Sequence, residues 1–377
     1  MTKTFLIYGA NGYTGELITR MAAERGLKPI LAGRNAIQIE ELAKKHHLEY
    51  RVFALDETAR LDAALQEVDM VLHCAGPFSI TSRPMVEACL RNKKHYTDIT
   101  GEISVFEACA AMDKKAQEAG IMIMPGVGFD VVPSDCLARH LKDRLPSATH
   151  LSLAFYGTGR LSHGTQATMT MNIGKGGAIR KDGKITSVAA AWKTREIDFG
   201  EVKISAPLLT KEGWQPSAAD GVVLSGVGDR MIKTAVTIPW GDVSTAFYST
   251  GIPNIEVFTV VPPSALKMMK ISRYLGWLLA TGPVQDYLQK KIPAGGPSDA
   301  EREKGKTLMW GEVSDLNGNK VESRLQGPEG YTITAIAALN IAEKITAGNF
   351  IPGYQTPAKA YGADLVMEIQ GVERQDV

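Results

Sequence analysis

The fold is decided by a stretch near the start of the chain, which reads Thr4-Phe5-Leu6-Ile7-Tyr8-Gly9-Ala10-Asn11-Gly12-Tyr13-Thr14-Gly15. An apolar run without charges is typical of a strand buried on both faces. The glycine spacing G-x-x-G-x-x-G then gives a sharp turn, room for a phosphate at the backbone and a closely packed helix whose free N–H groups face that phosphate. The pattern predicts a dinucleotide site formed by Gly9, Asn11, Gly12, Tyr13, Thr14 and Gly15.

A second strand, Pro29 to Ala32, ends at Gly33-Arg34, where a dinucleotide-binding fold reads the adenosine ribose. An acidic residue at this place would accept a hydrogen bond from a free 2′-hydroxyl group. The sequence instead offers a guanidinium, whose forked donors and fixed charge suit a 2′-phosphate. We therefore predict NADP(H) as the cofactor, with Gly33 and Arg34 in its site. The alternative is an empty glycine turn beside a solvated arginine.

Composition limits the function classes. The chain has 377 residues, enough for two domains, and its 44% hydrophobic residues can form a large core. A net charge of +1 argues against a broad nucleic-acid surface. The four cysteines are scattered without a C-x-x-C pair, so we expect neither a disulfide framework nor a metal site. With no hydrophobic leader before the first strand, we expect a cytoplasmic location.

The first 125 residues alternate strand-like and helix-like segments and predict an α/β fold, a Rossmann-type doubly wound sheet of six parallel strands. Ligands lie beyond the carboxyl ends of such strands. The loop after the fourth strand is therefore expected to contact the cofactor through Ala75, Gly76 and Pro77. After the third strand, Asp56 is placed near the adenine, or else caps the following helix.

Three residues are candidates for moving a proton. Tyr96 and Asp98 lie on the fifth strand and form a proton-handling pair, or alternatively a structural hydrogen bond on one strand face. His163 lies in the predicted polar loop Gly157 to Thr165, and a loop can aim a histidine into a cleft. An exposed loop histidine without a role is the alternative. Sequence alone leaves all three open.

After residue 149 the pattern changes to strand-like runs between longer loops, which predicts a second, α+β domain with a mostly antiparallel sheet. The loop Pro125 to Asp135 is the expected hinge between the domains. One apolar and basic segment, residues 264–291, has two interpretations. It packs on the sheet as an ordinary helix, or it lies on a membrane surface or admits an apolar substrate.

Taken together, these motifs resemble the saccharopine dehydrogenase-like oxidoreductases, including trans-acting enoyl reductases. The resemblance rests on Tyr8 to Gly15, Ala32 to Arg34, Cys74 to Phe78, Tyr96 to Glu102 and the Gly126–Pro133 loop. It implies an NADP(H)-binding domain over residues 1–130 and a substrate and dimerisation domain over 131–330. Residues 331–377 would form a C-terminal helix and tail that pack back on the first domain.

Saccharopine enzymes carry a D-P-G turn after the sixth strand, whereas this chain reads Asp130-Val131-Val132-Pro133. The departure argues against an amino-acid substrate, and the apolar segment suits a lipid-like or acyl one. We expect an NADPH-dependent oxidoreductase that reduces an unsaturated acyl, imine or carbonyl substrate and forms a homodimer. The alternative is an inactive NADP-binding or membrane-associated protein of the same fold. A short-chain dehydrogenase is set aside, because the nucleotide domain has no Tyr-x-x-x-Lys pair.

Overall fold

The computed structural model describes residues 4–172, 176–201, 230–279, 281–293 and 295–377. The strands are β1 (Phe5–Tyr8), β2 (Ile30–Gly33), β3 (Tyr50–Val52), β4 (Met70–His73), β5 (His95–Asp98), β6 (Met122–Met124), β7 (His150–Gly157), β8 (Gly177–Lys181), β9 (Lys184–Val188), β10 (Thr194–Glu201), β11 (Arg230–Thr237), β12 (Asn254–Val260), β13 (Lys306–Ser314), β14 (Lys320–Pro328), β15 (Gly353–Tyr354) and β16 (Glu373–Asp376). The helices are α1 (Tyr13–Glu24), α2 (Ala36–His46), α3 (Thr58–Gln66), α4 (Phe78–Asn92), α5 (Ile103–Ala110), α6 (Asp113–Ala119), α7 (Val132–Arg144), α8 (His163–Asn172), α9 (Asp242–Thr250), α10 (Pro263–Leu279), α11 (Gly282–Lys290), α12 (Asp299–Lys304), α13 (Gly330–Thr346) and α14 (Pro357–Tyr361).

The N-terminal sheet is parallel throughout and runs in the order β15-β6-β5-β4-β1-β2-β3. This is the strand order of a dinucleotide-binding fold, with the reversal between β1 and β4. The predicted doubly wound sheet is confirmed, but the described residues form seven strands where the sequence predicts six. The added strand, β15, comes from the C-terminal segment and pairs Gly353 with Met122 and Tyr354 with Ile123.

The first helices follow from their sequence patterns. In α1 the side chains of Leu17, Ile18 and Ala22 are buried, as their helical spacing predicts. Asn35 caps α2 by accepting a hydrogen bond from the Gln38 amide at 3.2 Å. The proposed cap at Asp56 is wrong: the residue before α3 is Glu57, and Asp56 is exposed in the loop ahead of it. Its side chain is therefore free of the helix end.

The second sheet is mixed and mostly antiparallel, as predicted. Its main path is β10-β11-β12-β7-β13-β14-β16, and β8 and β9 form a hairpin beside β12. The β7–β12 pair is parallel, and the other pairs are antiparallel. The Asn317-Gly318 hairpin lies between β13 and β14 with Gly318 at φ +85°. The strand-like run Val202 to Ile204 lies outside the described residues.

The two sheets share one core. A continuous buried cluster contains Met122 of β6, Leu137 of α7, Leu151 of β7, Met309 of β13 and Ile333 of α13. The C-terminal segment touches both parts, because α13 packs against α1 while β16 pairs with β14. Arg25, directly after α1, donates hydrogen bonds to Asn340 and Glu343 of α13 at 2.8 and 2.9 Å. The domains are thus joined across a packed interface rather than by a bare linker.

Candidate functional site

The glycine turn has the geometry that a pyrophosphate site requires. Gly9 has φ +82°, and a Cβ atom there would lie 2.7 Å from the Ala75 backbone nitrogen. A Cβ at Gly15 would lie 2.3 Å from the Gly9 carbonyl oxygen. Any larger side chain would therefore push β1, the β4 loop and α1 apart. At Gly12 a Cβ would meet only the Gly9 carbonyl oxygen, at 3.4 Å, so the backbone there is open to an approaching group.

The start of α1 is the predicted phosphate cradle. The helix begins at Tyr13, directly after Gly12, and its first amide groups have no partner within the helix. Thr14 is half-buried beside them. Asn11 is exposed, and its amide donates a hydrogen bond to Gln38 at 2.8 Å, which fixes the turn against α2. These residues fit a bound pyrophosphate through N–H groups and the positive end of the helix dipole.

Arg34 and Asp56 lie at the predicted adenosine end of the site. Both side chains are exposed, after β2 and β3 respectively, and both act electrostatically on Tyr8 of β1. No ion pair of Arg34 occurs within the described residues. A guanidinium at the end of β2 that forms no ion pair with a described residue fits a 2′-phosphate. Gly33 is buried in contact with Asn11 and Ile39, where a Cβ would be crowded at 3.0 Å.

The β4 loop, Cys74 to Pro77, lies over the same edge of the sheet. Ala75 abuts Gly9, Gly76 is exposed, and Pro77 precedes α4. The loop is held from both sides. Thr81 donates a hydrogen bond to the Ala75 carbonyl at 2.6 Å, and Glu102 accepts from the Phe78 and Ser79 amides at 2.8 and 3.1 Å. The expected cofactor contacts of Ala75, Gly76 and Pro77 stay predictions on a well-braced loop.

Tyr96 and Asp98 form a fully buried pair. The Tyr96 hydroxyl donates to Asp98 at 2.6 Å, and the Asp98 carboxylate also accepts from the Thr100 and Gly126 amides at 3.0 and 2.8 Å. Burial raises the pKa of Asp98 to about 6 and raises the pKa of Tyr96 well above its usual value. This geometry matches the structural alternative, since neither side chain is exposed to a ligand. Their role in proton transfer stays a prediction.

His163 is separate from that pair. It is the exposed first residue of α8, and its ring nitrogen lies 3.3 Å from the Pro293 carbonyl oxygen. The structure therefore does not bring the three proton candidates together: two are inside the first sheet and one is on the surface of the second domain. A catalytic role for His163 also stays a prediction.

Side chains of both domains meet beside the start of α1. The rings of Tyr13 and Tyr331 pack edge to face with centroids 5.0 Å apart. The Tyr331 hydroxyl accepts from the Ser162 amide at 2.7 Å and lies 2.8 Å from the Thr165 hydroxyl. Arg302 donates to the Tyr13 hydroxyl at 2.9 Å. The first turns of α1, α8 and α13 thus converge where the phosphate cradle opens toward the second domain.

Asp130 is a candidate site residue that the sequence interpretation did not include. It follows β6 at the carboxyl edge of the sheet, is half-buried, and lies against Gly101, where a Cβ would come within 2.5 Å of its carboxylate. Burial raises its pKa to about 7. No hydrogen bond reaches its carboxylate from the described residues, although Trp240 donates to its backbone carbonyl at 3.0 Å. Its position, one strand after Asp98, is the signal that could have found it.

An aromatic wall stands beside Asp130. Phe129 and Phe155 meet edge to face at 6.0 Å, and Phe155 packs on Trp240 at 4.6 Å. All three rings are half-buried. A titratable carboxyl group next to apolar rings is an arrangement that can hold an apolar substrate while exchanging a proton with it.

Known proteins identify the part of the chain that carries the glycine turn. Residues 5–124 match the sequence model of the family described as saccharopine dehydrogenase NADP-binding domain. This segment is similar to saccharopine dehydrogenase NADP-binding domains. The predicted cofactor, NADP(H), and the resemblance to saccharopine dehydrogenase-like proteins are thereby confirmed. The NADP-binding domain covers β1 to β6, so the match includes the turn, Arg34 and the β4 loop.

Two curated relatives are similar to this chain over only part of their length. A saccharopine dehydrogenase-like oxidoreductase of Mus musculus is 25% identical over 216 residues, which cover 52% of this chain and 46% of that protein. A trans-acting enoyl reductase of Mycobacterium ulcerans is 28% identical over 147 residues, which cover 37% of this chain and 35% of that protein. The alignments thus span about half or less of the curated relatives' length.

The structural similarity to a known protein extends beyond the NADP-binding domain. The apo saccharopine dehydrogenase (L-Glu forming) of Saccharomyces cerevisiae superposes with a TM-score of 0.65 at 11% identity and covers 100% of both chains. The two-domain architecture is thus shared with that enzyme. In the described part of this chain, no helix combines the length and apolar character needed to cross a bilayer.

Proposed function

We propose that this protein is an NADPH-dependent oxidoreductase that reduces an unsaturated acyl, imine or carbonyl substrate in the cleft between its two domains. The observation that carries the proposal is the placement of Asp130. This carboxyl group lies at the carboxyl edge of the NADP-binding sheet, half-buried and beside apolar rings, with a pKa raised to about 7. Bound NADPH would supply a hydride from its nicotinamide ring.

The residues of the chain would then do three things. The α1 amides and Arg34 would bind the phosphates and so fix the cofactor's register. The wall of Phe129, Phe155 and Trp240 would exclude water from the reacting carbon. Asp130, protonated below about pH 7, would deliver the proton that completes the reduction. A hydride transfer depends more on placement and a dry cleft than on a strong nucleophile.

The aromatic wall supports an apolar substrate over one with several carboxylates. Asp130, which directly follows Phe129 in the chain, would repel an anionic group once ionised. The altered turn, Asp130 to Pro133, points the same way. The similarity to a trans-acting enoyl reductase covers 37% of the chain and gives limited support for the acyl class.

The test is a single-turnover assay of NADPH oxidation with an enoyl thioester, a ketone and an imine. We expect one class to react and Asp130→Asn to slow that reaction at least about tenfold without changing NADPH affinity. Tyr96→Phe, Asp98→Asn and His163→Gln are assayed in parallel, and Asp143→Asn, at an exposed carboxylate, is the matched control.

Two outcomes would contradict the proposal. Tight NADPH binding with no oxidation across the whole panel would favour an inactive NADP-binding protein. Full activity of Asp130→Asn with a loss in His163→Gln would move the proton donor to α8.

Oligomeric state and location are tested separately, by ultracentrifugation and by fractionation. We propose a cytoplasmic homodimer.

A further inference from the structure

One surface of the second domain is apolar and has no partner within the described residues. It is formed by α10 and α11 and is called the α10–α11 face here. Its exposed side chains include Tyr274 at 81%, Trp277 at 73%, Met268 at 62% and Tyr287 at 59% exposure. Large apolar side chains are scattered singly over most protein surfaces, but here they are concentrated on two consecutive helices. This concentration needs a physical explanation.

Helix α10 exposes large apolar side chains instead of burying them. About half of the α10 circumference is exposed. Helical spacing places Met268, Ile271 and Leu275 along one edge of this exposed half, Lys267 and Tyr274 along its middle, and Lys270 and Trp277 along its other edge. The opposite face, with Leu266 and Met269, is only half-buried. No described side chain of α10 or α11 is fully buried. Packing on the sheet, the ordinary interpretation of this segment, therefore leaves its apolar side uncovered.

The helices are nevertheless attached to the domain. Arg273 of α10 donates hydrogen bonds to the carbonyl groups of Ala190 and Ala191, in the turn before β10. The α11 helix packs against α8, whose first turn bonds Tyr331 at the cleft. The α10–α11 face is therefore attached to the turn before β10 and to α8, the helix that contacts Tyr331.

Charge decides what can cover this face. Residues 263–291 carry five basic side chains, Lys267, Lys270, Arg273, Lys290 and Lys291, and one acidic side chain, Asp286. The whole chain has a net charge of only +1, so this positive charge is local. None of the four lysines forms an ion pair with a described residue, and Lys291 stacks on the Tyr287 ring at 4.8 Å. A second copy would bring an identical positive face against this one.

We propose that the α10–α11 face docks the protein on an anionic bilayer surface. Tryptophan and tyrosine settle at the headgroup level, Met268, Ile271 and Leu275 would enter the acyl boundary, and the lysines would meet anionic headgroups. Neither helix needs to span the bilayer. The face would bring the cleft close to membrane lipids. If the proposed reductase function is correct, the membrane would also be its substrate reservoir.

The experiment is flotation of the full chain with vesicles of phosphatidylcholine, alone or mixed equally with phosphatidylserine. We expect binding to the mixed vesicles and loss of binding at high salt. Lys267→Glu with Lys270→Glu should weaken binding at least about tenfold, since each basic side chain near the surface contributes to the attraction. The matched control is Lys114→Glu with Lys115→Glu, on exposed positions of α6.

A second pair of variants tests insertion. Trp277→Ser should weaken binding roughly tenfold, whereas Leu316→Ser, at an 83% exposed position on the β13–β14 hairpin, should not. Brominated lipid should quench wild-type tryptophan emission and leave Trp277→Ser unquenched. Unchanged NADPH affinity shows that each variant is folded, independently of any turnover.

Two results would overturn the proposal. Equal binding of wild type and Trp277→Ser to mixed vesicles would show that the face does not insert. A sedimentation change from dimer to monomer in Trp277→Ser, without vesicle binding by the wild type, would assign the face to a second copy of the chain.

Discussion

At the scale of single residues, Arg34 is the residue that we predict to set the choice of cofactor. Its guanidinium is exposed at the end of β2 and is uncommitted among the described residues, so a 2′-phosphate would gain a charged hydrogen-bond partner without breaking an existing ion pair. We predict that Arg34→Ala weakens NADPH binding by about 2 kcal/mol, a factor of roughly thirty, and leaves NADH binding nearly unchanged. Calorimetry with both nucleotides measures this.

The control for Arg34 is Arg60→Ala. Arg60 is also an exposed arginine of the NADP-binding domain. Its guanidinium forms an ion pair at 3.0 Å with the carboxylate of Glu57, the residue before α3. Its removal should leave the affinity for both nucleotides unchanged. Equal loss of NADPH and NADH affinity in Arg34→Ala would mean that Arg34 supports the fold of the site rather than the 2′-phosphate.

Asp130 gives the pH dependence of the proposed reduction. Because burial raises its pKa from 3.8 to about 7, the group is protonated and able to donate below that pH and ionised above it. We predict that kcat/KM for reduction falls as pH rises through about 7, and that the residual rate of Asp130→Asn lacks this step. A pH–rate profile of both proteins is the measurement, and the same step in both would refer it to another group.

Residue roles were predictable from sequence only where the backbone imposes them. Gly9 and Gly15 must lack a Cβ for steric reasons, so spacing alone identified them. Asp130 was missed because its importance comes from Gly101 and Trp240, which are distant in sequence and meet it only in the fold. The burial of Tyr96 and Asp98 was likewise invisible, since a strand pattern does not say whether its end is covered.

At the scale of elements, one arginine joins the two domains. Arg180 of β8 is 4% exposed and donates to Glu107 of α5 at 3.0 Å and to the Val243 carbonyl at 2.8 Å. It also stacks on the Phe247 ring at 4.2 Å. Arg180→Met would remove the hydrogen-bond donor to the Val243 and Gly183 carbonyl groups. Glu107, at 38% exposure, would keep its hydrogen bonds from Ser244 and Tyr248. We predict a loss of about 2 kcal/mol in the free energy of unfolding.

Urea denaturation measures this loss, with Arg139→Met as the control. Arg139 forms an exposed pair with Asp143 along α7, so its removal should cost less than about 1 kcal/mol. Adding Glu107→Gln to Arg180→Met should change the stability little further, because Glu107 is 38% exposed and also accepts hydrogen bonds from Ser244 and Tyr248. A small effect of Arg180→Met alone would show that the domain contact depends on the shared core instead.

Element boundaries show a similar limit of sequence reasoning. The alternating pattern predicted β1 to β6, because buried parallel strands have a strong apolar signal. The two-residue strand β15 has no such signal, and it pairs with β6 only because α13 returns the chain to the first domain. For α10, sequence identified the amphipathic helix but could not say which of its faces would be covered.

At the scale of the whole molecule, architecture was the most predictable property, since the change from alternating to antiparallel patterning near residue 149 follows from local sequence. How the domains meet was not predictable. The core between them contains side chains from α7, β7 and α13, and it also encloses carboxyl groups such as Asp135 and Asp242. These buried acids make the stability of the whole fold depend on pH.

Asp242 provides the sharpest test of that dependence. It is fully buried in α9, and neither carboxyl oxygen has a hydrogen bond of standard geometry to a described residue, although Ser134 is near. Burial raises its pKa well above 3.8. The folded state therefore holds a proton that the unfolded state releases above about pH 4, so this group lowers the free energy of unfolding as pH rises.

Asp242→Asn removes the titration while keeping the shape of the side chain. We predict that the variant gains stability relative to wild type by roughly 1 kcal/mol per pH unit above about pH 4, until the native pKa is reached. Urea denaturation across that range measures the difference. Asp143→Asn, at an exposed carboxylate, should show no such trend. A difference between Asp242→Asn and wild type that is constant with pH would mean that the buried carboxyl is charged in the fold, held there by partners that offset the cost of its burial.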